Sequence, residues 1–310
     1  MAEPQLIIVL GPTCVGKSRI SMEIAKKFSG EIINCDSMQV YQGFDIGTAK
    51  VTPSQRKEVR HHLLDIVNYK NQFTAADFVK FATQAIEDIL ARKKLPIIVG
   101  GTGLYLKALL EGLFPGPGRD EELREQLKKE ACQKGLEFLV NKLKEIDPEY
   151  YQKIGKNDKI RIIRALEVYY LTKKPMSEHF QNTRSAINNF CKIKIGLILD
   201  RAELYQRINQ RVEKMFSSGL ITEVQELLKR GVEPQSPPFR ALGYKYALEV
   251  VKGEMSEKTA ISLTQKDTRR YAKRQITWFK KDKGIDWFSP YELDKIFNFI
   301  ENKLKWKKLS

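Results

Sequence analysis

The chain is predicted to fold as an α/β protein, with a parallel sheet flanked by helices and interrupted by an all-helical insertion. Three observations predict this. Apolar runs alternate with amphipathic stretches over the first hundred residues, a pattern that argues a parallel, helix-covered sheet. The first apolar run leads at once into Gly11-Pro12-Thr13-Cys14-Val15-Gly16-Lys17-Ser18. Strand character then vanishes between residues 120 and 172 and returns at residue 192.

Residues 6–10 form the first strand. The Gly-rich segment that follows has the G-x-x-x-x-G-K-[ST] spacing and stands before a helix over residues 17–28. Its glycines allow the backbone to wrap a phosphate, with N–H groups and a helix N-terminus aimed at the anion. That pattern makes the sheet P-loop NTPase-like. A second strand, residues 31–34, ends in Cys35-Asp36-Ser37. Residues 74–92 read as a helix, because Ala75, Phe78, Ala82, Ile86 and Ile89 recur at three- and four-residue spacing. Thr74 is its predicted N-cap. A third strand, residues 96–99, ends in Gly100-Gly101-Thr102-Gly103, and a helix over 104–111 follows. Ligands of such sheets sit at the carboxyl ends of the strands. The three loops are therefore expected to meet around one site.

Pro115-Gly116-Pro117-Gly118 breaks the pattern. Residues 115–190 are read as a helical insertion, and residues 1–114 with 191–310 as the α/β core. A strand is expected over 192–199, ending in Asp200-Arg201, then one helix from 202 to about 229. Residues 234–239 carry three prolines and read as a loop, and 259–281 as a long basic helix.

The sequence has 54 Lys and Arg against 38 Asp and Glu, a formal charge of +16. That excess favours a polyanionic partner. No apolar run approaches the roughly 20 residues that span a bilayer, so no membrane partner is expected. No signal peptide is visible. The four cysteines (Cys14, Cys35, Cys132, Cys191) are scattered and, with three histidines, match no zinc spacing. A cytoplasmic protein with reduced thiols is the expectation. Cys14 and Cys35 both follow strands and are expected to face the site.

Within the phosphate loop, Lys17 supplies a cation and the Ser18 hydroxyl a ligand for Mg²⁺. Asp36, at a strand end beside that loop, suits a magnesium ligand, a general base or a helix N-cap. The Gly100–Gly103 turn is either a second backbone cradle or a tight strand-to-helix connection. Arg207 and Arg211 lie four residues apart and share a helix face. The basic helix carries Arg269, Arg270, Lys273, Arg274, Lys280 and Lys281, with Tyr271, Trp278 and Phe279 interleaved. It is either a phosphate-backbone contact or an amphipathic helix with a solvated face.

Taken in order, these motifs resemble one family. They are Gly11–Ser18, Asp36-Ser37-Met38-Gln39-Val40-Tyr41, Asp45-Ile46-Gly47-Thr48-Ala49-Lys50, His62-Leu63-Leu64-Asp65, Gly100-Gly101-Thr102-Gly103-Leu104-Tyr105, Arg164-Ala165-Leu166-Glu167, Gly243-Tyr244 and Lys273-Arg274-Gln275-Ile276-Thr277-Trp278. The set is similar to the tRNA dimethylallyltransferases, from the N-terminus to about Trp278. The resemblance implies transfer of a dimethylallyl group from dimethylallyl diphosphate to the exocyclic amine of adenosine 37 in the tRNA anticodon stem-loop. Gly11, Pro12, Thr13, Cys14, Val15, Gly16, Lys17 and Ser18 would then hold a leaving diphosphate with Mg²⁺, and not ATP. Asp36 matches the family's general base. Thr13 and Thr102 match positions near the diphosphate and the acceptor nucleotide. One arginine of the helix after Asp200 would reach the diphosphate, and Arg211 is favoured over Arg207. Ser37, Met38, Gln39, Arg124, Ile160, Arg161, Arg164, Arg240, Gly243, Tyr244 and Lys245 are the implied tRNA contacts. A monomer is the expected state.

Two departures stand out. Where the family often has His-Pro-Asn-Asp before a Gln-Arg pair, this chain has Gly155-Lys156-Asn157-Asp158 and then Ile160-Arg161. The glutamine position is Ile160, so a polar contact from that side chain is lost. The zinc-finger extension of some eukaryotic members is missing, as in the compact bacterial form. Two rivals remain open from the sequence: a kinase using the same loop on ATP, and a non-catalytic RNA-binding module.

Overall fold

The computed structural model describes residues 3–114, 116–181 and 183–306; Pro115 of the breaker cluster lies outside them. Along the chain, β1 (Gln5–Leu10), α1 (Lys17–Lys27), β2 (Gly30–Cys35), α2 (Pro53–Glu58), β3 (His61–His62), α3 (Ala75–Ala91), β4 (Leu95–Gly100) and α4 (Gly103–Glu111) come first. Five helices follow: α5 (Glu121–Lys134), α6 (Leu136–Ile146), α7 (Pro148–Lys153), α8 (Lys159–Thr172) and α9 (Met176–Gln181). Then come β5 (Cys191–Leu197), α10 (Arg201–Ser217), α11 (Leu220–Lys229), a 3₁₀ turn (Pro237–Arg240), α12 (Leu242–Val251), α13 (Glu257–Phe279), β6 (Asp286–Phe288) and α14 (Leu293–Trp306). No helix among the described residues is long and apolar enough to cross a membrane.

The sheet has six parallel strands in the order β3-β2-β4-β1-β5-β6. β1 and β4, central in it, are apolar nearly throughout, because helices cover both faces. Ile7, Val9, Ile97, Val99, Ile193 and Ile195 pack on one face against Ile20, Ile24, Ile208, Ile296 and Ile300. The register places Leu10 and Cys35 on either side of Gly100. The loops after β1, β2 and β4 therefore leave the sheet at one level, side by side. A Cβ on Gly100 would lie 2.0 Å from the Cys35 carbonyl oxygen, so only glycine allows this spacing.

Two parts of the expected pattern differ. The predicted helix over 202–229 is two helices, because Gly219 takes φ 95° and turns the chain between α10 and α11. The Pro-rich segment closes in a 3₁₀ turn where Pro237 presets the backbone. Thr74 does cap α3, in a reciprocal box in which each of Thr74 and Asp77 accepts the other's backbone N–H.

Two compact units result, Met1–Lys107 with Asn189–Ser310, and Ala108–Asn188. The second has its own core of Leu127, Leu139, Leu143, Ile162, Leu166 and Met176. At its centre is Glu167, with no exposed surface. The Glu167 carboxylate accepts two hydrogen bonds from Arg124, at 2.8 and 2.9 Å, one from Arg164 at 2.7 Å and one from the Asp120 amide at 2.8 Å. Arg164 also donates to the Pro117 carbonyl at 2.8 Å. Arg124 and Arg164, both expected as tRNA contacts, neutralise this buried carboxylate and stay partly exposed. Arg161 is exposed beside Asp158, at 3.3 Å, and Ile160 is 81% exposed.

Candidate active site

The phosphate loop begins with Gly11 at φ 144°, where a Cβ would lie 2.5 Å from the Leu197 carbonyl oxygen. It ends with Gly16 at φ 104°, directly before α1. The first turn of α1 has no acidic residue and Gly16 provides no side-chain cap, so its N–H groups stay open to an anion. Lys17 folds back over the loop, its ammonium donating to the carbonyls of Gly11 at 3.0 Å and Pro12 at 2.7 Å.

Burial of that ammonium, and then the nearby Arg211 guanidinium, bring the Lys17 pKa down to about 8. An anion bound beside both cations restores the charged form and so takes up a proton at high pH. Affinity for inorganic diphosphate is therefore full below pH 8 and falls above it, by up to about tenfold per pH unit. Titration calorimetry of the wild type against Lys17→Met isolates the lysine. Parallel profiles from pH 7 to 9.5 would contradict this assignment.

Arg211, on α10, donates to Thr13 Oγ1 at 3.4 Å and to the Thr48 carbonyl at 3.3 Å, which aims its guanidinium at the loop. Arg207 is held by Glu203 at 2.9 Å and by the Tyr291 hydroxyl at 2.5 Å. The structure thus separates the two arginines that share a helix face.

Asp36 follows β2. Its Oδ1 accepts the backbone N–H groups of Met38, at 2.9 Å, and Gln39, at 3.3 Å. Its other oxygen has no hydrogen-bond partner among the described residues. The carboxylate is thus both a turn cap and a free acceptor. Thr102 Oγ1 accepts the Ser37 N–H at 3.3 Å, fixing the β4 loop to the Asp36 turn. The Gln39 side-chain amide donates to the Thr48 carbonyl at 3.0 Å, so it braces the 45–50 loop.

Two cavities open here. The smaller, about 240 Å³, is lined by Gly16, Lys17, Ser18, Arg19, Gly101 and Gln275. The larger, about 300 Å³, has apolar walls from Ile208, Val212, Met215 and Leu242, and cations from Arg240 and Arg274. Thr13, Cys14, Asp36, Arg211 and Tyr271 line both. Asp36 therefore stands where a phosphate-sized cradle meets a partly apolar chamber. Burial, and then the Asp36 charge, push the Tyr271 phenol up, so it stays neutral.

Tyr244 is fully buried, whereas Gly243 lines the larger cavity. The Tyr244 ring packs on Phe44, and its hydroxyl donates to Glu223 and accepts the Gly47 N–H. Gly243 is buried against the Gly47 carbonyl. Both are needed to seat the 45–50 loop. Arg240 and Lys245, in contrast, are exposed.

Cys35, expected to face the site, has no exposed surface, and burial, with Asp36, drives its thiol pKa well up. Cys14 is half-buried and lines both cavities. An alkylating reagent is expected to label Cys14 and the exposed Cys132, with diphosphate protecting Cys14 alone. Peptide mass mapping reads this; labelling of Cys35, or equal protection of Cys132, would contradict the geometry.

Residues outside the candidate list also shape the site. Lys50, its side chain 1% exposed, is held by Asp45 and Asp65 at 2.6 Å each and by the Tyr41 carbonyl at 2.7 Å. Glu223 accepts the Ile46 N–H at 2.9 Å, and burial raises its pKa. Gln275 reaches the phosphate loop from α13. Asp45, Lys50 and Gln275 belong to motifs quoted above, but no local pattern gives their partners.

Residues 39–282 match the family model for IPP transferase. The chain is 44% identical to the tRNA dimethylallyltransferase of Acetivibrio thermocellus over 298 residues, 96% of this chain and 95% of that protein. The crystal structure of the full-length tRNA isopentenylpyrophosphate transferase of Bacillus halodurans is similar, with a TM-score of 0.72 at 38% identity over 98% of each chain. A eukaryotic dimethylallyltransferase, captured in crystallographic snapshots acting on tRNA, gives 0.76 at 30% identity over 89% of this chain and 70% of that one. With its phosphate loop, its Asp36 turn and these relatives, the chain belongs to the IPP transferase family, among the tRNA dimethylallyltransferases.

Proposed function

We propose that the protein transfers the dimethylallyl group of dimethylallyl diphosphate to the N6 amine of adenosine 37 in tRNA, releasing diphosphate. The observation that carries this is the position of Asp36, shared by the cavity on the Gly11–Ser18 loop and the partly apolar one. The diphosphate takes the smaller cavity, on the α1 N-terminus, Lys17 and Arg211. These donors offset the charge that builds as the allylic C–O bond breaks. The amine nitrogen attacks the allylic carbon, and its proton passes to the free Asp36 oxygen. An aromatic amine is a weak nucleophile, so a placed proton acceptor and a fixed approach both matter.

Mg²⁺ fits this site. Ser18 borders the smaller cavity, and its hydroxyl would be the protein's ligand to the ion, leaving the free Asp36 oxygen to take the proton. No cluster of three or more His, Cys, Asp or Glu occurs among the described residues. An ion here would draw its other ligands from the diphosphate and water, as Mg²⁺ commonly does. When bound, it would add positive charge at the leaving group.

The target base must leave its stack to reach the larger cavity. Arg270, Lys273 and Arg274 are exposed along α13, Lys280 and Lys281 just after it, and Arg240 and Lys245 earlier in the chain. They suit the phosphate backbone of an anticodon stem-loop. Arg269 does not belong to that set, because it is bonded to Asn209 at 2.6 Å. The enzyme is proposed to work as a monomer.

The test uses purified protein, unmodified tRNA and allyl-labelled dimethylallyl diphosphate with Mg²⁺ and no ATP. Label at adenosine 37 after nuclease mapping is the expected result. If no label enters tRNA, consumption of ATP supplied in a parallel reaction would overturn it in favour of a kinase, and tRNA binding without product in favour of a non-catalytic module.

A further inference from the structure

Gln275 lies on α13, 262 residues from the phosphate loop in sequence, and only 6% of its surface is exposed. Its carbonyl oxygen accepts the Thr13 N–H at 2.8 Å, and its amide nitrogen donates to the Gly101 carbonyl at 2.9 Å. One carboxamide thus bridges the loop after β1 to the loop after β4. A Cβ on Gly101 would lie 2.2 Å from the Gln275 nitrogen, so glycine is what lets the side chain in. One turn further along α13, Trp278 meets Gly103 in the same way, at 2.5 Å. The turns of α13 beside Gln275 carry Tyr271 and Arg274, both in the wall of the larger cavity.

We infer that Gln275 is a positioning residue for the transfer, setting the phosphate loop against the Gly101–Thr102 turn so that leaving group and acceptor base are held in line. Both loops border the diphosphate cradle, and the second also holds the turn that carries the proton acceptor. Thr13 borders the diphosphate cradle, whereas Thr102 holds the Asp36 turn through the Ser37 N–H. Parallel strands fix where the loops begin, but their tips are free to separate. Gln275 closes that gap with a donor and an acceptor on one planar group, which no apolar side chain reproduces. Because it stands on the helix whose exposed face carries the cations, it also ties the RNA-facing element to the phosphate loop. This rests on the transfer reaction proposed above. Misplacing reactants by about an ångström can cost on the order of a hundredfold in rate.

The experiment compares Gln275→Met, which keeps volume without either hydrogen bond, with Gln275→Glu, which keeps only the acceptor for Thr13. For Gln275→Met, kcat per titrated active site is expected to fall at least tenfold, with the tRNA dissociation constant within twofold of wild type. Amide exchange in residues 11–18 and 100–105, read by mass spectrometry without substrates, is expected to speed up at least tenfold. Gln275→Glu should fall between the two in kcat, and its faster exchange should centre on residues 100–105. A residue needed only for folding would lower the melting temperature and leave kcat per active site and KM unchanged. Wild-type exchange in both loops, or wild-type kcat per active site, overturns the inference. If Gln275→Met does not fold, Gln275→Glu decides on the same two measurements. Should the wild type itself transfer nothing, the proposed reaction fails, and loop exchange alone still tests the bridge.

Discussion

Asp36→Asn is expected to lower kcat by about 10²–10⁴-fold, the range for losing a placed general base. The tRNA dissociation constant is expected to stay within about twofold, because no exposed cation of α13 is touched. Asparagine is the informative replacement. Its side-chain oxygen still accepts the Met38 and Gln39 N–H groups that Oδ1 accepts in the wild type, so the turn survives. What disappears is the basic oxygen facing the two cavities. Asp36→Ala removes both functions and is expected to loosen the turn as well, lowering the melting temperature where Asp36→Asn does not. Single-turnover transfer at saturating dimethylallyl diphosphate, with tRNA binding measured in parallel, separates these effects. An equal fall in tRNA affinity for Asp36→Asn would make Asp36 a binding residue rather than the base.

Glu167→Ala is expected to destabilise the 108–188 unit by about 3 kcal/mol, the low end for breaking a buried ion pair. Its two partners set that choice. Arg124 and Arg164 keep 20% and 27% of their side chains exposed, so they regain some hydration once the carboxylate is gone. Burial works against the Glu167 charge, but the two guanidinium groups and the Asp120 N–H outweigh it, and the pKa is held below 4.5. A carboxyl whose folded pKa is depressed stabilises the fold fully above its unfolded pKa. That contribution is lost as pH falls from 4.5 through the lower folded value. Hydrogen exchange across residues 120–168 is expected to show this acid dependence in the wild type and not in Glu167→Gln. The same network decides what Arg124 and Arg164 do. Replacing either is expected to destabilise the unit with little change in the salt dependence of tRNA binding. A slope shallower by about one for either variant would restore it as a phosphate contact.

The sheet was legible because its inner strands are buried on both faces and read as unbroken apolar runs. Ile7–Leu10 and Ile97–Val99 are examples. The cap at Thr74 was legible because a capping box is local. The shortest strands were not. His61–His62 and Asp286–Phe288 carry no pattern of their own and exist only through pairing with β2 and β5. Residues 11–18 and Asp36 stood out because their chemistry lies in loops whose spacing is itself the signal. The burial of Tyr244 was not legible in the sequence. Its partners Phe44, Gly47 and Glu223 lie outside its own segment, and no local pattern connects them to it. The pairing of Arg124 and Arg164 with Glu167 was equally hidden. Helical spacing puts both on charged stretches, but the carboxylate they serve lies inside the helical core. Gln275 is the extreme case, since its role depends on two loops that no periodicity connects to α13.

The central claim is that the phosphate loop grips a leaving group and transfers no phosphate. Dimethylallyl diphosphate labelled with ¹⁴C in the allyl group and ³²P in both phosphates, given to the protein with unmodified tRNA, Mg²⁺ and no ATP, tests it directly. All ¹⁴C that reacts is expected in tRNA and all ³²P in free diphosphate, released in equal amounts. Appearance of ³²P in tRNA, or transfer that starts only when ATP is added, would contradict it.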